Sequence, residues 1–210
     1  MTLTLHWSPR SPFVRKVMVA AHERGVADRL TLVRSVAITT DPNPALMAAN
    51  PLNKIPTLER DDGPPLTDSR VICEFLDTIG DAPPLIPEGE ARWPALRRQA
   101  MADGLTDLLV LWRGERGRPQ PSRPHLDAYR VKAIATLDRL ELEAVEFPAR
   151  PDIGDIAVGC ALAYADFRFA DLAWRGGRPR LASWQAGFDA RPAAQATAIV
   201  DDEAKPMAPA

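Results

Sequence analysis

The chain has 210 residues, of which 46% are apolar and 26% charged, and its formal net charge is -2. That length suits one large domain or two small ones, and the near-neutral balance gives no reason to expect nucleic acid or an anionic membrane surface as partner. No apolar stretch reaches the ~18 residues of a membrane span. Cys73 and Cys160 stand in no Cys-x-x-Cys or Cys/His cluster, so disulfide scaffolds and metal sites are not expected and a reducing cytoplasm fits.

Leu3, Leu5 and Trp7 alternate with Thr4 and His6, which predicts a strand over 2–7 rather than a secretory signal. A helix is expected over 12–24, with Phe13, Val17, Ala20 and Ala21 on one face and Gly25 at its C-terminal end. Leu30 to Val36 reads as a second strand, 39–43 as a loop, and Pro44 to about Asn50 as a short helix. Ile55 to Glu59 is a short strand, Asp61-Asp62-Gly63 a hairpin-type turn, and Leu66 lies in a brief partner strand. Asp68-Ser69 then opens a helix that keeps Val71, Ile72, Phe75, Leu76 and Ile79 at helical spacing. The order β-α-β-α-β-β-α over 1–80 describes a small α/β domain with a mixed sheet.

The proline-rich, acidic stretch GDAPPLIPEGE reads as a linker. Beyond it no strand pattern persists, and an all-helical domain is expected over 86–210. Its helices are placed over 91–116, 125–146, 152–173 and roughly 180–190. In the third, Ile156, Gly159, Cys160, Ala163, Tyr164 and Phe167 form an apolar stripe, which puts this helix at the centre of the domain, with Gly159 allowing a neighbour to approach. The closing AQATAIVDDEAKPMAPA has no periodicity and is expected to be a loose tail.

Three stretches offer chemistry beside a plainer reading. In SPRSPFVRKV, Ser11 before Pro12 is a common helix start. A capping serine oxygen accepts a backbone hydrogen bond, however, and so keeps its own proton to donate. Ser8, three residues earlier, is the alternative hydroxyl. In NPLNKIPTL, Pro56 at the start of a strand fits an ordinary trans proline; a cis bond would instead turn the backbone of Ile55 toward a peptide ligand. In LTDSRVICEFL, Thr67 or Asp68 caps a helix, yet Asp68 also suits an ammonium group, and Ser69 with the free helix amides suits a carboxylate.

Together these stretches resemble the soluble glutathione S-transferases, and SPRSPFVRKV resembles the active-site turn of bacterial serine-type members. NPLNKIPTL is similar to the segment that carries the family's cis proline, with Asn53 where glycine is common. LTDSRVICEFL is similar to the helix start that holds the γ-glutamyl end of glutathione. Farther on, QAMADGLTDLLVLWRGERGRP, DIGDIAVGCALAYADFRF and PRLASWQAGFDARPA resemble the fourth, sixth and final helices of such enzymes. Asp152 and Asp155 stand at the positions of the sixth helix's capping box.

The resemblance implies a thioredoxin-like first domain followed by helices, and a transferase that uses glutathione as co-substrate with no permanently bound cofactor. It implies a cis bond at Pro56, with the cysteinyl backbone of glutathione paired to Ile55, the γ-glutamyl group at Asp68 and Ser69, and Asn53 or Lys54 toward the glycyl carboxylate. Ser11 would donate to the sulfur and hold it as thiolate. Trp7, Arg10, Trp112 and Arg113 are candidates for the side that meets a small electrophile, in a cleft between the domains. A homodimer is expected. A non-catalytic binder of the same fold, or a glutathione-dependent isomerase or dehalogenase, stays open. Disulfide reduction is disfavoured, because SPFV holds no cysteine.

Overall fold

A computed structural model describes residues 2–202 of the chain. The contacts divide them into two units, 2–83 together with 197–202, and 84–196.

The first unit runs β1 (Leu3–Trp7), α1 (Pro12–Glu23), β2 (Leu30–Arg34), α2 (Pro44–Ala49), β3 (Thr57–Arg60), β4 (Gly63–Leu66) and α3 (Ser69–Ile79). This is the expected β-α-β-α-β-β-α order of a thioredoxin-like domain. Its four strands lie in the order β2-β1-β3-β4, with β1 parallel to β2, antiparallel to β3, and β4 antiparallel to β3. Leu3 and Leu5 on β1 and Leu58 on β3 are buried, as are Val14 and Val17 on α1 and Ile72 and Leu76 on α3, which packs against α1. The alternation read in 2–7 thus marks the face of the sheet that meets the helices.

α1 ends in a Schellman turn. Gly25, at φ +71°, donates to His22, and Val26 donates to Ala21 at 2.9 Å. Arg24 then crosses to α3: its guanidinium pairs with Asp77 at 2.9 Å and donates to the carbonyls of Asp77 and Gly80. A buried cation beside the last carbonyls of α3 is favourable there, because that end of a helix is negative.

The second unit holds α4 (Arg92–Arg116), α5 (Arg123–Glu143), α6 (Ile153–Arg168), α7 (Pro179–Asp189) and α8 (Pro192–Ala196). The ends expected for the first three helices continue as short 3-10 turns at Gly89–Ala91, Ala144–Glu146 and Ala170–Leu172. Within the stretch read as a linker, Leu85 is buried and accepts from the Ile153 amide at 2.9 Å, so this part belongs to the helical unit. α6 is buried almost all round and packs against α4 and α7. Gly159 meets the ring of Phe188 so closely that a Cβ there would lie 2.3 Å from it.

The capping box of α6 is formed. Asp152 accepts from the amides of Gly154 and Asp155 at 2.8 and 3.0 Å, and Asp155 accepts from the amide of Asp152 at 3.0 Å. Arg98 of α4 pairs with both carboxylates, at 2.7 and 2.8 Å. Burial, reinforced by the charge of Asp152, pushes the Asp155 carboxyl up to about 7.

The expected loose tail is corrected in part. Residues 194–196 belong to α8, and 197–202 lie along the first unit. Arg15 donates to the carbonyl of Thr197 at 3.1 Å and the Val200 amide donates to Pro9 at 3.4 Å. The backbone of this aperiodic segment thus has partners nearly the whole chain away. Residues 203–210 of that tail lie outside the described residues.

Two expectations follow. Gly159→Ala should destabilise the protein by about 1–3 kcal/mol through overpacking, read as a lower urea midpoint, and Phe188→Leu in the same chain should restore part of it. For Asp155, an acid with a higher pKa folded than unfolded weakens the fold as it ionises. Its contribution is complete below the unfolded value of 3.8 and is lost as pH rises toward about 7. The stability gap between wild type and Asp155→Asn should therefore narrow from pH 4 to pH 7 in denaturant titrations.

Candidate active site

The pairing of strands decides which residues can meet. β1 and β2 run in parallel, with Trp7 opposite Arg34, so the residues that follow both strands emerge at one end of the sheet. β3 is antiparallel to β1, with Thr57 opposite His6, so Ile55 and Pro56 enter at that same end. β4 is antiparallel to β3, with Leu66 opposite Leu58, and Asp68 and Ser69 leave there too. α1 and α3 both begin at this end. Their free amides and positive dipole ends make it a place for anionic groups.

Ser11 caps α1. Its Oγ accepts from the Val14 amide at 3.3 Å, its own amide donates to the carbonyl of Ser8 at 3.2 Å, and it is partly exposed. Ser8 is buried, with its Oγ accepting from the Arg10 amide at 3.4 Å. The two hydroxyls therefore differ: Ser8 shapes the turn, and Ser11 is the one that reaches the surface at the helix start.

The Ile55-Pro56 bond is cis. Ile55 is half-buried and enters none of the hydrogen bonds formed among the described residues. The turn before it is held by Asn50, which donates to the carbonyl of Lys54 at 3.1 Å and to Thr57 Oγ1 at 3.0 Å. Asn53 sits at φ 51°, the left-handed backbone that asparagine tolerates in place of glycine. Its side chain is engaged with the preceding loop, accepting from the Asn43 amide at 3.0 Å and donating to the carbonyl of Ile38 at 3.1 Å. Lys54 is exposed.

Asp68, not Thr67, caps α3. One carboxylate oxygen accepts from the Arg70 amide at 2.8 Å, and the side chain is otherwise open to solvent. Ser69 follows as the first helical residue and is buried.

The four candidates for an electrophile's side divide between the units, Trp7 and Arg10 in the first and Trp112 and Arg113 in the second. Trp7 is half-buried at the end of β1, and Arg10, in the turn after it, pairs with Asp201 and Asp202 at 3.0 and 2.9 Å. Arg113 is exposed on α4. Trp112 is corrected: at 2% exposed it is a core residue of the helical unit, its ring 4.8 Å from that of Phe169. Arg116 stacks over both rings and forks onto Asp171 at 3.2 and 2.9 Å, so the arginine-rich end of α4 is partly committed to structure. An apolar aromatic at helical spacing gave no sign of whether it faced a ligand or the core.

Sequence reading passed over two sets of residues. His6 is buried and bridges the strands, with Nδ1 2.8 Å from Ser35 Oγ and Nε2 2.8 Å from Glu59 Oε1. In the sequence it was one polar position of an alternating strand. Arg34 and the acidic pair Asp201-Asp202 are the second set, and no local pattern connects them. Among the described residues, no three His, Cys, Asp or Glu side chains gather to hold a metal ion. No helix among them is long and apolar enough to cross a membrane.

Residues 10–79 match the family model for the N-terminal domain of glutathione S-transferase, and 123–185 match the model for its C-terminal domain. A glutathione transferase family member from Pseudomonas fluorescens Pf-5, solved with bound glutathione, is 44% identical, with a TM-score of 0.90 over 93% of this chain and 98% of its own. A second structure of a family member from that organism holds S-(propanoic acid)-glutathione and superposes with a TM-score of 0.86, at 43% identity over the same shares. The uncharacterized GST-like protein YibF of Escherichia coli K12 is 31% identical over 177 residues, 81% of this chain and 86% of its own.

Proposed function

Because the chain belongs to the glutathione S-transferase family, we propose that it is a serine-type glutathione transferase that joins the glutathione sulfur to a small electrophile. The bound ligands of the two Pseudomonas structures support glutathione as a co-substrate that arrives and leaves, in place of a resident cofactor. One observation carries the reading. Ser11 Oγ already accepts from the Val14 amide, so its proton is left to donate to a sulfur at the positive end of α1.

Both influences favour the thiolate. Lowering a thiol pKa from ~8.5 to about 6.5 takes ~2.7 kcal/mol, within the range of one charge-assisted hydrogen bond with a helix terminus. The thiolate then attacks the electrophilic atom, forming the C–S bond as the leaving group departs with its electron pair.

In this reading the cysteinyl backbone pairs with Ile55, whose amide and carbonyl are unused among the described residues. Asp68 takes the γ-glutamyl ammonium with the oxygen that the Arg70 amide leaves over. Ser69 and the first amides of α3 take its carboxylate. Lys54 faces the glycyl carboxylate in preference to Asn53, whose side chain is held by Asn43 and Ile38. Trp7, Arg10 and Arg113 stay as candidates for the electrophile. A homodimer in the cytoplasm, with no nucleic-acid partner, completes the proposal.

Ser11→Ala tests the mechanism. It should cost about 1 kcal/mol of stability as a lost cap. It should also raise the pKa of the bound thiol by one to two units, roughly 1.4–2.7 kcal/mol, with turnover near neutral pH falling by a comparable factor. Thiolate absorbance against pH reads the shift directly. An unperturbed thiol in the wild-type complex would leave a non-catalytic binder, and a shift in Ser8→Ala but not in Ser11→Ala would move the role to the other hydroxyl. Asp68→Ala should weaken glutathione by ~2–3 kcal/mol in calorimetry, because a charged partner is left unpaired. Unchanged affinity would remove Asp68 and Ser69 from the site.

A further inference from the structure

Two arginines stand together at the end of the sheet where α1 begins. Arg34 is the last residue of β2, opposite Trp7 of β1, and Arg10 lies in the turn that follows β1, immediately before Ser11. The carboxyl ends of parallel strands are where open α/β sheets bind their ligands. Neither arginine is buried in the protein; their side chains are 25% and 32% exposed.

Both are met by the chain's own acidic residues. Arg34 Nε donates to Asp202 Oδ2 at 2.8 Å, while Arg10 Nε lies 2.9 Å from Asp202 Oδ1 and 3.0 Å from Asp201 Oδ1. One carboxylate therefore spans two guanidinium groups. The hydrogen bond from Arg34, then the charges of Arg34 and Arg10, hold the Asp202 carboxyl below the usual carboxylate range, so it sits there as an anion.

The fit is incomplete. At Arg10 a single nitrogen, Nε, faces Asp202 at 2.9 Å and Asp201 at 3.0 Å, so one donor is shared between two carboxylates. Exposed ion pairs of this kind add little stability. The backbone around them is fastened by the bond from the Val200 amide to Pro9, at 3.4 Å, and by that from Arg15 to Thr197. A free carboxylate that met both guanidiniums in line would make the stronger bonds.

We propose that Arg10 and Arg34 form a carboxylate subsite next to the thiol site, that Asp202 fills it when no ligand is bound, and that its ligand is the carboxylate of an anionic co-substrate. The identity of the ligand rests on the glutathione reading above; the existence of the subsite does not. The strap is then an internal competitor, displaced by electrophiles that carry a carboxylate and left in place by neutral ones. Specificity for charge would come from residues of the first unit alone.

Calorimetric titration of the full chain with S-(3-carboxypropyl)glutathione and with neutral S-butylglutathione reads the subsite as a ratio of affinities. The charged ligand should bind about fivefold tighter. Asp201→Asn combined with Asp202→Asn should widen the ratio by about two- to fivefold, the scale of a released surface ion pair. Arg34→Ala should abolish the preference. Equal affinities throughout, or an Arg34→Ala variant that weakens both ligands alike, would overturn the subsite and leave glutathione binding standing. Failure of both ligands to bind would remove the glutathione reading instead. Hydrogen exchange at the Val200 amide in millimolar glutarate then decides the subsite by itself. Faster exchange in the wild type but not in Arg34→Ala supports it, and unchanged exchange overturns it.

Discussion

The position of β1 between β2 and β3 is the constraint on which the site depends. Leu3 and Leu5 are buried against the helices, while Thr4 and His6 take the opposite face, so a shift of one residue would exchange the two sets and expose the leucines. With the register fixed in this way, one end of the sheet receives the end of β1, the end of β2, the start of β3 and the end of β4. Buried His6, bridging Ser35 and Glu59, ties β3 to the segment after β2 across β1 by polar contacts on the face away from α1. Residues far apart in sequence are thus brought to one end of the sheet without any of them needing a motif of its own.

What these residues can do follows from the two helices that start there. Each helix brings uncompensated amides, and each has a cap of different chemistry. Ser11 accepts and still has a proton to give; Asp68 accepts and has only further acceptor capacity. In the proposed reading, a ligand carrying a sulfur at one place and an ammonium beside a carboxylate at another would meet this pair of starts in order. Exchanging the caps would serve neither helix worse, since serine and aspartate cap about equally well. The difference between them matters for what approaches from outside, more than for the fold.

How much of this the sequence held depends on the range of the interaction. Helix starts at Ser11-Pro12, Asp68-Ser69 and Asp152, the glycine after α1, and the alternation in β1 are local, because each is set by groups within four residues or by burial on one face. They were legible. Asn53 could be read as a tolerable substitute for glycine, but its bonds to Asn43 and Ile38 could not, since they depend on the path of the loop before α2. Trp112 had the spacing of a core residue and of a wall residue alike, and only the packing against Phe169 separates the two. The 3-10 turns that extend three of the helices look helical in sequence because they keep nearly the same periodicity.

The closing segment reads as loose in sequence for a reason that holds generally: small and charged residues without a period have no face to bury, so nothing local orders them. What orders 197–202 is charge and backbone partners supplied by the first unit, to which the chain returns after leaving it at Pro83. Such an attachment differs in kind from the buried contacts of β1. Burial of Leu5 or Leu58 is coupled to the whole core, and cannot be undone without unfolding it. The pairing of Asp202 with Arg10 and Arg34 is only partly buried and is weakened by salt where solvent reaches it. In the proposed subsite a carboxylate would therefore compete with the cover alone, while the sheet that positions the arginines is held by buried contacts coupled to the whole core.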